Sequence, residues 1–252
     1  MKIKYVVLIV IAVVTTMFLL QNIVKQKNVD VIVVGTSADY PPYAFVDTKT
    51  NQVVGFDIDV AQEVVKRIGK KFEIKDIPFA TLIFDLLADD IDIIAAGMTP
   101  TARRSRGVLF SQKYFQADPL VIITKKSNQV IDSIKQLQGK TVVVNTGYTA
   151  DLYLSDKPDI ELVRLKTPAE SFMALQSGTV DAFVCAKSSL VPFLKKHNSA
   201  DFSMTVLPDT GDDYALAVGK HNHNMLEQVN KALDAMKQDG TLQLLKQKWN
   251  LE

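Results

Sequence analysis

Cysteine and histidine are scarce in this chain of 252 residues, which holds one Cys and three His. A single cysteine, Cys185, excludes an internal disulfide framework and any CxxC metal or redox motif. His197, His221 and His223 lie in polar stretches, and the His221-Asn222-His223 run reads as a solvated turn rather than a metal grip. No GxSxG nucleophile elbow and no HExxH pair is present. An excess of one charge is also lacking. With 29 basic and 28 acidic side chains the formal charge is +1, so no broad field draws nucleic acid. Short repeats and low-complexity linkers are absent as well. What is present is 47% hydrophobic and 23% charged, the composition of an ordinary folded protein. The length fits one large α/β domain or two small ones.

The hydrophobic content is unevenly placed. Lys2 and Lys4 precede an uncharged run from Tyr5 to Leu20, YVVLIVIAVVTTMFLL. This is the basic start and apolar core of an export segment, assigned here to residues 1–24. No small-x-small cleavage site follows, and Cys185 is too distant to be a lipid-bearing N-terminal cysteine. Extended to Val24, the run is about 20 residues, enough to span a bilayer, so cleavage and retention as an anchor both stay open. Either way the body is expected in the periplasm or on the extracytoplasmic face of the membrane. Without residues 1–24, which hold two lysines and no acid, the net charge becomes −1.

Beyond Val29, short β-rich runs alternate with helical patterns. Val31–Val34 reads as a strand. In Asp57–Ile68 the residues Val60, Ala61, Val64, Val65 and Ile68 recur at helical spacing, and Gly69 ends the helix. Phe72–Ile77 reads as a strand, Thr81–Ala88 as a helix and Ile91–Ala96 as a buried strand. That β-α-β-α-β order predicts a mostly parallel sheet flanked by helices. A second block follows. Leu120–Thr124, Thr141–Val144 and Val180–Cys185 read as strands, and Ile131–Leu137 as a short helix. Thr167-Pro168-Ala169-Glu170 reads as a capped helix start. A further strand at Asp213–Val218 precedes two helices separated by Gly240. These last helices lack their own sheet, so the second block reads as inserted into the first. Ligands in such folds sit beyond the carboxyl ends of strands. Three loops qualify there: Thr36–Tyr43, Gly97–Arg104 and Asn145–Ala150.

Residues 96–104, Ala-Gly-Met-Thr-Pro-Thr-Ala-Arg-Arg, are the strongest constellation. Gly97 lets a ligand approach the backbone. Thr99 offers a hydroxyl, and Arg104 a planar fork matched to a carboxylate. The alternative is a helix cap with solvated arginines. The rings of Tyr40-Pro41-Pro42-Tyr43 and Phe79 are either walls for a ligand or ordinary core. Asn145-Thr-Gly-Tyr-Thr149 offers backbone amides at a helix start but lacks the phosphate-binding fingerprints. Cys185 reads as a buried thiol, and the pairs Asp57/Asp59 and Asp89/Asp90 as helix caps and ends.

Taken together, GTSADYPPYAF, GFDIDVAQEVVKRIGKK and AAGMTPTARRSRGVLFSQKYF resemble the polar amino-acid class of bacterial extracellular solute-binding proteins, the capture components of ABC importers. DGTLQLLKQKWN near the end looks like that family's closing helix. The resemblance covers about residues 29–252. It implies a two-lobed periplasmic-binding-protein fold, with lobe 1 at 29–116 plus 214–252 and lobe 2 at 117–213. The chain crossings would lie near Phe115–Pro119 and Gly211–Tyr214. It further implies an α-amino acid ligand, a permease partner in the inner membrane, a monomer, and no cofactor, metal or catalysis. Arg104 would hold the ligand carboxylate, helped by Thr99 and the backbone at Thr149. The Gly97 carbonyl would accept from the ammonium, within a Gly97-Met98-Thr99 run, and Tyr40 and Phe79 would flank the side chain. Two positions depart from the family. Ser37 and Ala186 stand where acids are usual, the latter being the binder of the α-amino group. Asp39 and Asp213 are the candidates to replace it. The departure at Ala186 keeps two alternatives in view: a dehydratase-like enzyme on a small cyclic carboxylate, and a ligand sensor tethered by the N-terminal segment.

Overall fold

A computed structural model describes residues 30–251 apart from 117, 128, 129 and 212, so the expected export segment at 1–24 lies outside the described residues. Among the described residues no helix is long and apolar enough to cross a membrane. The chain opens with β1 (Val31–Thr36), then a small three-stranded sheet of β2 (Asp39–Tyr40), β3 (Ala44–Val46) and β4 (Val53–Val54). Helix α1 (Phe56–Ile68) buries Val60, Ala61, Val64 and Val65, as the spacing predicts, and ends at Gly69 with φ 79°. β5 (Lys71–Asp76) leads to a 3-10 turn at Phe79–Thr81, α2 (Leu82–Leu87), β6 (Ile93–Ile94) and β7 (Val108–Phe115).

The second block holds β8 (Leu120–Lys125), β9 (Thr141–Asn145), α3 (Thr149–Leu154), β10 (Glu161–Leu165) and α4 (Pro168–Ser177). β11 (Ala182–Ala186), α5 (Val191–Leu194) and β12 (Phe202–Val206) complete it. In α4 the predicted capping box forms. Glu170 N–H donates to Thr167 Oγ1 at 3.2 Å, and Thr167 N–H donates to Glu170 Oε2 at 3.0 Å. The expected helix at Ile131–Leu137 is only a 3-10 turn, Ile134–Leu137. The chain then returns through β13 (Tyr214–Gly219), α6 (His223–Gln238) and α7 (Thr241–Lys248).

Two five-stranded sheets result, β5-β1-β6-β13-β7 and β10-β9-β11-β8-β12. All strands of the second fall between β7 and β13 of the first in sequence, so the fold is two-lobed with the second lobe inserted. β1 and β6 are parallel, as are β9 with β10 and β9 with β11. One reversed strand makes each sheet mixed. β13 runs against β6 and β7, and β8 runs against β11 and β12. Both reversed strands enter from a connection between the sheets, where no helical crossover turns the chain back into parallel register. The first connection spans residues 116–119. The second lies between β12 and β13; at its start Leu207 is still bound to the second sheet, its N–H donating to Leu120 O at 2.8 Å.

The period of two along β13 sorts its side chains to opposite faces. Leu216 and Val218 join Val34, Val60, Val64 and Leu233 in one core cluster. Ala217 joins Phe79, Leu82, Ile94 and Met98 in another. Because Val229, Leu233 and Met236 of α6 complete the first of these clusters, the C-terminal helices belong to the first lobe.

Candidate functional site

The parallel strands bring their carboxyl ends to one place, where the loops of both lobes meet around a cavity of about 20 Å³. That is room for roughly one or two water molecules. Five of the residues expected at a binding site line it: Tyr40, Phe79, Gly97, Thr149 and Ala186. Arg104 lies beside it, only 5% exposed, with its guanidinium carbon 5.3 Å from the Phe79 ring centre. Its Nη1 donates to Thr99 O at 2.7 Å, within its own lobe. Its Nη2 donates to Gly147 O at 2.9 Å, in the other lobe. Thr99 therefore meets Arg104 through its carbonyl. The Met98 side chain is not at the cavity. It is 1% exposed and packs in the core, because β6 has ended and the backbone turns there to meet β13, Ala215 N–H donating to Met98 O at 3.2 Å. Ser37 is buried outside the lining and donates to Asp39 Oδ1 at 3.0 Å.

Gly97 is required by its backbone. Its φ is +56°, and a Cβ there would lie 3.1 Å from Tyr40 Cε1. Gly97→Ala is expected to cost about 1–2 kcal/mol in denaturant unfolding; an unchanged midpoint would show that the ring yields without cost.

Asp57 departs from its expected place as a helix cap. The cap of α1 is Gly55. The Asp57 carboxylate is buried, with Oδ1 accepting from Tyr114 O–H at 2.8 Å and Oδ2 from the Gly97 N–H. Burial pushes its pKa up to about 7, against the opposing pull of those two donors. Asp59 accepts from Lys248 Nζ at 2.7 Å and Trp249 Nε1 at 2.6 Å, tying α1 to the chain end.

The sequence reading missed a chain of polar groups that links the lobes at the connections. The Tyr40 hydroxyl lies 2.7 Å from Ser188 Oγ and 2.8 Å from the Tyr214 hydroxyl. Tyr214 O–H donates to Asp118 Oδ2 at 3.2 Å, and Ser188 N–H donates to Asp118 Oδ1 at 3.1 Å. Burial raises the Asp118 pKa above the ordinary carboxylate value. Asp118 thus serves the turn that follows Ala186. Asp213, one of two candidates to replace the acid missing there, instead forms an ion pair with Lys113. Asp39, the other, accepts from Tyr148 O–H at 3.2 Å. Its pKa is also raised by burial.

Tyr148, Asn145, Val184, Cys185 and Ser189 complete most of the wall. Cys185 is buried as expected, but it faces the cavity as well as the core. Among the described residues no acidic side chain lines the cavity. His197, His221 and His223 are exposed and are not part of the lining.

Residues 32–252 match the family model described as bacterial extracellular solute-binding proteins, family 3. The chain belongs to this family. It is a solute-binding protein and not an enzyme, so the dehydratase alternative falls away, and the family places it outside the cytoplasm. Among curated proteins it is 30% identical over 223 residues to the arginine-binding extracellular protein ArtP of Bacillus subtilis, covering 86% of this chain and 85% of that one. It is 31% identical over 228 residues to the glutamine-binding ABC transporter protein GlnH of the same organism, covering 88% and 82%. Among solved structures, an ancestral arginine-binding protein bound to arginine superimposes with a TM-score of 0.81 at 36% identity, covering 87% of this chain and 98% of that one.

Proposed function

We propose that this protein captures an α-amino acid outside the cytoplasm and delivers it to an ABC permease in the inner membrane. The observation that carries the reading is Arg104, a buried guanidinium of the first lobe that reaches Gly147 of the second beside the cavity. A ligand carboxylate taking those donors would replace the Thr99 and Gly147 carbonyls on the Arg104 guanidinium, and the second lobe would meet it through the backbone at Thr149. Thr99 and the backbone at Thr149 assist it, the Gly97 carbonyl accepts from the ammonium, and Tyr40 and Phe79 form the walls. Relatives whose names record arginine and glutamine support an amino acid as cargo. On this reading lobe 1 comprises 29–116 plus 214–252 and lobe 2 comprises 117–213, residues 1–24 export or anchor the chain, and it works as a monomer. Closing the lobes on the ligand is the signal to the permease. A thermal-shift panel over the twenty common amino acids tests this. At least one should stabilise the protein by about 2–3 kcal/mol at a hundred times its dissociation constant. If none does, the reading fails.

A further inference from the structure

Two residues of the second lobe sit where the first lobe would meet a ligand. Gly147 O accepts from Nη2 of Arg104, the guanidinium expected to hold a carboxylate, at 2.9 Å. The Tyr148 ring lies 4.3 Å from Phe79, centre to centre, and meets Tyr40 edge-on at 6.3 Å. It packs against the first lobe's own core cluster of Phe79, Leu82, Ile94 and Met98. Its hydroxyl donates to Asp39 Oδ1 at 3.2 Å, and Ser37 Oγ donates to the same oxygen at 3.0 Å. The backbones approach closely as well. A Cβ at Gly147, whose φ is +77°, would lie 3.5 Å from Ala80 Cα. Within the second lobe this loop is braced. Gly147 N–H donates to Asp151 Oδ2 at 2.8 Å, and Asp151 pairs with Arg164 at 2.8 Å. Each of the contacts between the lobes is made by the protein's own groups. Parting the lobes there would strip one bond from a guanidinium and one from a carboxyl group, and would wet two aromatic faces.

We infer that Gly147 and Tyr148 form a latch that holds the two lobes shut on each other, and that a ligand binds by displacing it. The space between the latched lobes, about 20 Å³, holds one or two water molecules and not an amino acid. A ligand carboxylate also needs the Arg104 donor that the Gly147 carbonyl takes. Ligand and latch therefore exclude each other. Only unlatched molecules are competent to bind, so the apparent dissociation constant is the intrinsic one divided by the unlatched fraction. Removing the latch then tightens binding. Removing a residue that merely lines the site would weaken it, so the sign of the effect separates the two roles. The competition rests on the amino-acid reading above; the latch itself does not.

Small-angle scattering of the full protein, with no ligand added, tests the latch. Wild type should have the smallest radius of gyration, Tyr148→Ala the largest, and Tyr148→Phe, which keeps the ring but loses the bond to Asp39, one between them. Calorimetric titration with arginine and with glutamine tests the competition. Whichever of the two binds should bind Tyr148→Ala about tenfold tighter than wild type or more, and Tyr148→Phe severalfold tighter. Saturating ligand should contract Tyr148→Ala but not wild type. Equal radii for wild type and the variants overturn the latch, as does a wild type that contracts on binding. Affinity that is unchanged or weaker in the variants overturns the competition. Should the alanine variant not fold, Tyr148→Phe decides both arms in the same sense. If neither amino acid binds any of the three proteins, the failure falls on the amino-acid reading, and the radii alone decide the latch.

Discussion

Arg104→Ala is expected to abolish ligand-induced stabilisation. A carboxylate held by the planar fork gains two charge-assisted bonds, each about 1.5–3 kcal/mol net. Losing both costs about 3–6 kcal/mol, which moves a micromolar site to between about 0.2 mM and tens of millimolar. The thermal shift at ligand concentrations that saturate wild type should then vanish. Arg104→Lys should recover little of it, because an ammonium cannot reproduce two parallel bonds to one carboxylate. The unliganded protein should lose less. Its Arg104 bonds to Thr99 O and Gly147 O join neutral carbonyls, and removing them leaves those acceptors to water or to new donors. The discriminating measurement is therefore the ligand shift and not the melting temperature alone. An alanine variant that keeps the full shift would sink the carboxylate clamp.

The features that were legible in the sequence are local ones. The apolar spacing of Val60, Ala61, Val64 and Val65 needs only a helix period, and the box at Thr167 and Glu170 needs only four consecutive residues. The strands that went unread lack such a signature. β10 and β12 are edge strands whose side chains are mostly exposed or half-buried, so Glu161 and Arg164 or Ser203 and Thr205 interrupt the apolar run. In β7 the polar trio Ser111-Gln112-Lys113 hides a strand that pairs along its length with β13. The run Ile91–Ala96 shows the opposite error. Every residue but Asp92 is buried, yet only Ile93–Ile94 form ladder pairs, because burial near a loop-rich site produces the same apolar signal as a strand.

The site divides in the same way. Gly97, Thr99 and Arg104 are neighbours in sequence and could be grouped from their chemistry. Tyr148 and Asp39 stand 109 residues apart, and Tyr40 and Ser188 stand 148 apart. Nothing local marks either pair. Asp118 is harder still, since a single acid before a proline in a connection carries no period or motif. Its role arises only when Tyr40, Ser188 and Tyr214 converge on it. The wall residues missed in the sequence are therefore those contributed by lobe insertion, a long-range consequence of the topology.

Asp57 gives the second large effect, and its sign follows from the direction of its shift. Burial lifts the folded-state pKa to about 7, while an unfolded chain carries an ordinary carboxyl near 3.9. Among the described residues no lysine or arginine offsets the burial; the groups that face it are the Tyr114 hydroxyl from β7, the Gly97 N–H after β6, and Tyr43 from the turn between β2 and β3. Between about pH 4 and pH 7 the folded state thus binds more protons than the unfolded state, and stability falls as pH rises through that window. The full contribution is present below pH 4 and is lost above pH 7. Asp57→Asn mimics the protonated form, since an amide can accept from Gly97 and donate to the Tyr114 oxygen. The variant should match wild type near pH 4 and be more stable at pH 8, by up to about 4 kcal/mol for a shift of this size. Asp39 and Asp118 shift in the same direction, but they do so in both proteins and cancel in the difference. Asp57→Ala should behave otherwise. It strands two buried donors and should cost about 2–5 kcal/mol at low pH, where the wild-type carboxyl is protonated and fully stabilising. It also frees Gly97 from the geometry that lets the backbone line the cavity, so ligand affinity should fall with it. Paired denaturation curves at pH 4.5 and 8 decide the matter: a stability difference between Asp57→Asn and wild type that is the same at both values would show that this carboxyl does not titrate in the window.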